Sequence, residues 1–228
     1  DTLVEPRHVL RQLAALPLVA AVSVRLWMIW TSAARTLSTL TPDDAYYYFG
    51  VARHFAWGAG STFDGVTPTN GYQPLWMLCF AAVARLSGVR PDAPESWALL
   101  PRCALTLQAA CGLAGIAFLA RTLNELFPGR SGARVIWLCA VNPWVVYSLC
   151  DGTEAGLVIL CVSLLCRALL TRGPHTDPSR QSSLWCGFML GVTCLARLDL
   201  ALLIPLCALM LWKTRACTRF SATFLALG

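Results

Sequence analysis

At 228 residues, 57% of them hydrophobic and only 13% charged, the chain has about half the charged fraction, roughly 25%, with which a soluble domain covers its surface. Its mean hydropathy of +0.59 directs the surplus apolar surface to lipid, excludes a soluble domain, and leaves room for about six or seven helical spans of about 20 residues. The net charge of +6 is almost all arginine, Lys213 being the only lysine; spread over short loops, it orients a membrane protein and excludes the clustered basic face of a nucleic-acid binder.

The first apolar run, residues 10–31, follows Arg7, His8 and Arg11. The charged lead looks like the start of a signal peptide, but the run is long and lacks a small-residue cleavage site, so a retained first span is expected. Arg25, near its far end, can snorkel to the interface. Residues 32–72 are the longest polar segment and the expected first outer loop. Within it, the spacing of Tyr47, Val51, His54 and Phe55 predicts a short amphipathic juxtamembrane helix over 44–57, started by Thr41-Pro42-Asp43. Gly58, Gly60, Gly65, Pro68 and Asn70-Gly71 then predict a turn-rich loop.

Residues 73–86, opened by Pro74, are apolar but short, and read as a tilted span or a re-entrant segment. Fuller helices follow over 97–120, over 135–149 with a kink at Pro143, and over 155–170. Residues 172–183 form a polar loop, and 184–212 are apolar apart from Arg197 and Asp199. A new apolar run starts at Phe220, so Gly228 reads as an interruption and the chain is expected to be a portion of a longer protein. Trp27, Trp30, Trp76, Trp97 and Trp212 are expected as interface anchors at span ends. Cysteines inside the apolar runs act as small hydrophobes, no CxxC pair has a matching partner, and Cys150 beside Asp151 alone merits interest.

The arginines also argue topology. With a cytoplasmic N-terminus, strict alternation through seven spans would put Arg121, Arg130 and Arg134 outside, and Asp151 and Glu154 on the side opposite Asp43 and Asp44. Treating 73–86 as re-entrant repairs both points, at the cost of moving Arg85, Arg90 and Arg102 outside. Asp43/Asp44, Asp151/Glu154 and Arg197/Asp199 then share the outer face.

Those residues are where chemistry can arise. Two adjacent carboxylates, Asp43 and Asp44, can supply a general base or hold a divalent metal ion; they can equally complement a helix dipole. Asp151 and Glu154 have the spacing of a capping box, and Arg197 with Asp199 that of a structural ion pair. His54 is expected on the polar side of its helix, while Asn70, Tyr72 and Gln73 lie in a loop suited to sugar hydroxyls.

Thr41-Pro42-Asp43-Asp44-Ala45-Tyr46-Tyr47-Tyr48-Phe49, Ala52-Arg53-His54, Thr62-Phe63-Asp64-Gly65 and Thr67-Pro68-Thr69-Asn70-Gly71-Tyr72-Gln73-Pro74-Leu75-Trp76 together resemble the first outer loop of bacterial GT-C-class glycosyltransferases. These multi-spanning enzymes are related to protein mannosyltransferases and aminoarabinose transferases. The resemblance implies an all-α transmembrane bundle in a bacterial inner membrane, a single unit over residues 1–228 covering the N-terminal half of such an enzyme. It implies transfer of a sugar from a polyprenyl-phosphate donor to an acceptor on the outer face. By motif position Asp43 matches the general base and Asp44 the accompanying acid. Arg53 or Arg197 would stabilise the departing phosphate, and Asn70, Tyr72, Gln73, Asp151 and Glu154 would bind substrate. The competing expectation is a non-catalytic subunit that packs against other membrane subunits through small residues such as Gly112, Gly115, Gly187 and Gly191.

Overall fold

A computed structural model describes residues 6–90, 92, 98–128, 131–171 and 180–211. Among these residues the chain is helical throughout, apart from turns and one isolated bridge between Thr62 and Pro68. The predicted loop 172–183 lies mostly outside the described residues, as do Trp97, Trp212 and the run from Phe220.

Helix α1 (Pro6–Trp30) ends at a sharp corner, and the segment 33–40 leaves it at 99°. The corner is built locally. Ser32 extends the backbone and accepts the Arg35 N–H, starting α2 (Ala33–Arg35), which runs into a π turn at Thr36–Leu40. The buried Thr36 hydroxyl donates back to the Ile29 carbonyl at 2.8 Å. This helical stretch was not foreseen within the polar segment. Its signal, a Ser N-cap, is local, but Leu40 and Thr36 earn burial only through tertiary contact.

Helix α3 (Asp43–Ala56) matches the expected juxtamembrane helix, and α4 (Pro74–Ser87) matches the short apolar run. At 14 residues, α4 is about 21 Å long, short of the roughly 30 Å hydrocarbon layer. Helix α5 (Leu99–Leu126) is by itself long and apolar enough to cross a membrane; α1 with its bent continuation passes the same test. Helices α8 (Ala155–Thr171) and α9 (Arg180–Ala196) are apolar and shorter.

Two expected continuous helices are broken. The expected kink at Pro143 is a stop and restart between α6 (Ser131–Val141) and α7 (Pro143–Ser148), because Asn142 caps the new helix by accepting N–H bonds from Trp144 and Val145. Pro143 then occupies the first helical position, where its missing N–H costs nothing. The run 184–212 is interrupted at Arg197, whose φ of −156° and ψ of 118° are extended. A 3-10 turn at Leu198–Leu202 leads into α10 (Leu203–Leu211).

The core gathers α3, α4, α5 and α8 around Tyr48, Phe49, Trp76 and Phe80. Trp76 and Phe80 have ring centroids 4.4 Å apart, and Trp76 is fully buried. Trp76 is therefore a core residue and not the interface anchor its position predicted; Trp27 and Trp30 are exposed, as an anchor should be. Arg25 is likewise corrected. Its side chain turns inward and donates to the Ala21 and Val145 carbonyls at 3.0 and 3.5 Å. Val145 is in the last turn of α7, where carbonyls lack helical partners.

Helices α5 and α8 cross at glycines. A Cβ on Gly115 would stand 2.7 Å from the Leu160 nitrogen, and one on Gly156 would stand 2.2 Å from the Gln108 carbonyl oxygen. Backbone on the opposing helix cannot step aside as a side chain can. Gly156→Ala is expected to cost about 3 kcal/mol or more by overpacking, read as a lowered thermal midpoint in detergent. An unchanged midpoint would mean that the helices are farther apart than these distances.

Candidate active site

The start of α3, the segment 70–73, the turn before α8 and the break after α9 meet at one end of the bundle. They enclose a cleft of about 560 Å³ lined by Asp44, Tyr47, Tyr48, Asn70, Gly71, Tyr72, Gln73, Thr153, Glu154, Arg197 and Leu198. Strict alternation of spans would set Glu154 on the side opposite Asp44, whereas both residues line this cleft. The re-entrant reading of 73–86 is compatible with it.

Each wall has a physical cause. Helix α3 carries Asp44 at its first turn, and Tyr47 and Tyr48 follow three and four residues later on the same face. The Tyr48 hydroxyl accepts the Gln73 N–H at 3.0 Å and donates to Glu154 Oε2 at 3.1 Å. Burial raises the Tyr48 pKa, and Glu154 and Asp44 add to the rise while the Gln73 N–H opposes it. The phenol is thus held protonated as a donor to Glu154. Gln73 Oε1 in turn accepts the Leu198 N–H at 2.9 Å, taking up a backbone donor freed by the break at Arg197.

The turn before α8 is held on the other side by Asp151. Its Oδ1 accepts from Gln108 Nε2 at 2.7 Å and from the Thr153 N–H and hydroxyl at 2.9 and 2.8 Å, while Gln108 Oε1 accepts the Gly152 N–H at 2.7 Å. Gly152 has a φ of +87°, and a Cβ there would lie 2.7 Å from Ala45 Cβ on α3. Only glycine lets the turn come this near, and Trp76 Nε1 donates to its carbonyl at 3.1 Å. Asp151 and Glu154 therefore form no capping box. Asp151 braces the turn, and the Glu154 carboxylate points into the cleft, where Arg197 Nη1 meets its Oε1 at 3.3 Å. Arg197 also pairs with Asp199, Nε to Oδ2 at 3.2 Å. Its side chain is 47% exposed.

Six of the nine residues singled out from the sequence thus line one cleft: Asp44, Asn70, Tyr72, Gln73, Glu154 and Arg197. Three do not. Asp43 is exposed beside Asp44, Asp151 is buried behind the turn, and Arg53 is half-buried on α3, where burial lowers its pKa. Sequence reasoning missed Tyr47, Tyr48 and Thr153; the spacing of Tyr48 four residues after Asp44 was the available signal. His54 faces the loop and not the cleft, its Nδ1 3.0 Å from the Gly50 carbonyl. Among the described residues no three His, Cys, Asp or Glu side chains converge on a common point. A divalent ion at Asp44 and Glu154 would need substrate phosphate and water for its other ligands.

The rest of the first loop is stiffened by Asp64. Its carboxylate accepts the Val66 and Thr67 N–H groups at 2.8 and 2.7 Å and the Thr62 and Thr67 hydroxyls at 2.9 Å each. These bonds, the Thr67 N–H foremost, hold its pKa well below the usual carboxylate range. A depressed folded value means that the stabilisation is complete above the unfolded pKa near 3.9 and is lost only as pH falls through the lower folded value. Limited proteolysis of residues 60–69 is therefore expected to be unchanged from pH 7 to about pH 5. Asp64→Ala should open the loop throughout that range. Equal cleavage in wild type and variant would refute the brace.

The model of the dolichyl-phosphate-mannose-protein mannosyltransferase family matches residues 102–228, more than half of the chain. No curated protein and no solved structure matches it. The matched residues begin after the first-loop motif on which the resemblance was drawn. The two lines therefore cover different segments, and both send residues to the cleft: Asp44 and Gln73 from the motif, Glu154 and Arg197 from the matched region.

Proposed function

The chain belongs to the dolichyl-phosphate-mannose-protein mannosyltransferase family, and from that membership we propose that the cleft transfers a sugar from a polyprenyl-phosphate donor to an acceptor on the outer face of a bacterial inner membrane. The observation that carries the reading is the convergence of Asp44, Glu154 and Arg197, from three separate segments, on one cleft. A multi-spanning bundle is supported by the apolar helices and by the exposure of large hydrophobic side chains along them, Leu16, Val19, Leu138, Leu202 and Leu209 among them. So many exposed large apolar side chains favour lipid over water as their surroundings.

The reaction is a displacement at the anomeric carbon. The acceptor oxygen forms the new bond to C1 as its proton passes to a carboxylate, and the bond from C1 to the phosphate oxygen breaks. Of the two carboxylates that line the cleft, Glu154 is engaged by Tyr48 and Arg197, and Asp44 takes the proton. Arg197 lines the same cleft, with a fork suited to the phosphate oxygens that gain charge. Glu154, fixed by Tyr48, holds that guanidinium in place. Asn70, Tyr72 and Gln73 offer hydroxyl and amide groups for the sugar.

Reconstitution of the protein that carries these residues in vesicles containing a polyprenyl-phosphate sugar tests the reading. Release of polyprenyl phosphate coupled to glycosylation of an acceptor supports it. Binding of neither donor nor acceptor would favour the non-catalytic subunit instead.

A further inference from the structure

Two arginines end on one ring at the far end of α3 from the cleft. The Cζ atoms of Arg85 and Arg90 lie 4.3 and 4.8 Å from the centre of the Trp57 ring. The ring is fixed, since Trp57 Nε1 donates to the Val89 carbonyl at 2.8 Å and Val89 is fully buried. Gly88 closes α4 with a φ of +71°, and this left-handed cap turns the chain so that Arg90 returns over the ring. Both arginines are exposed, and among the described residues neither pairs with a carboxylate and the exposed Asp92, two positions on, makes no ion pair.

Sharing a ring at these distances sets the two charges no more than about 9 Å apart, inside a Debye length. Each therefore disfavours the other, and stacking on the indole fixes both without neutralising either. An anion that reaches both would relieve the repulsion. We propose that Arg85 and Arg90, held by Trp57, seat the phosphate of an anionic membrane lipid. Tryptophan rings settle at headgroup depth, where an arginine fork meets lipid phosphates. The same pairing recurs at the end of α1, with Arg35 over Trp27 at 5.9 Å and Arg102 over Trp30 at 5.6 Å. It also accounts for cations on the face that the positive-inside bias would leave poor in them. The seat is roughly 20 Å along α3 from Asp44, so it rests on the membrane reading above but not on the cleft's chemistry.

Native mass spectrometry of the detergent-purified protein titrated with phosphatidylglycerol tests it, with phosphatidylcholine as the neutral control. Arg85→Gln/Arg90→Gln is expected to weaken phosphatidylglycerol binding about 30-fold, the ratio that corresponds to about 1 kcal/mol for each arginine near an anionic surface. Phosphatidylcholine binding should not change, nor should either lipid respond to Arg134→Gln on α6. Undiminished phosphatidylglycerol binding by the double variant overturns the proposal. Inorganic phosphate that displaces the lipid at equal concentration overturns it too, since the seat would then take the free ion. A protein that stays soluble without detergent would fail the membrane reading itself, a result separate from either of these.

Discussion

Asp44→Asn is expected to reduce sugar transfer by about 10² to 10⁴ fold, the range over which a positioned general base acts. Asparagine keeps the size of the side chain and removes its capacity to take a proton. Asp44 is exposed in the first turn of α3, so the substitution costs little stability and the loss should appear in kcat with the fold intact. Asp43 supplies the internal control. It shares the turn and the motif but does not line the cleft, so Asp43→Asn should change transfer far less. The reverse pattern would move the base to Asp43, the residue that motif position indicates. Full activity in both variants would remove the pair from catalysis.

Much of the architecture was legible because it rests on local signals. The juxtamembrane helix, the short helix after Pro74 and the helices α5 and α8 follow from apolar spacing and from proline and glycine punctuation. The break at Pro143 was legible as a kink, but the one at Arg197 was not. At Arg197 the backbone leaves its helix because Gln73, over a hundred residues away, accepts the freed Leu198 N–H; no window of sequence contains that partner. Trp76 failed for the same reason, since a tryptophan at a span end reads as an anchor until Gly152 and Phe80 are seen around it. The site was half legible. Acidic, arginine and amide residues announced themselves by type, but only contact separates Glu154 in the cleft from Asp151 behind it.

The glycines bear on the competing reading. Gly112 and Gly115 were expected to suit contact with foreign helices, yet a Cβ on Gly112 would meet Leu149 at 2.4 Å and one on Gly115 would meet α8. Both are used within the chain and are therefore not available to a partner subunit. A scaffold also has no need to place Asp44, Glu154 and Arg197 around one opening, with Tyr48 and Gln73 bridging the segments that carry them.

Arg197→Ala is expected to lower kcat by about 10² to 10³ fold, the cost of removing one preorganised charge from a group that develops negative charge in the transition state. Arg197→Lys should recover part of the loss, because charge is kept while the fork that matches phosphate oxygens is not. The ion pair with Glu154 allows a sharper test. If Glu154 acts only by holding the guanidinium, Glu154→Gln alone should reduce kcat. Added to Arg197→Ala it should then do nothing further, because the residue it positions is already gone. A purely structural ion pair would behave otherwise: both variants would lower the thermal midpoint and leave kcat of the folded fraction unchanged. Additive losses in kcat would instead give Glu154 a contact of its own with substrate, and the cleft would then carry two independent carboxylates facing the sugar.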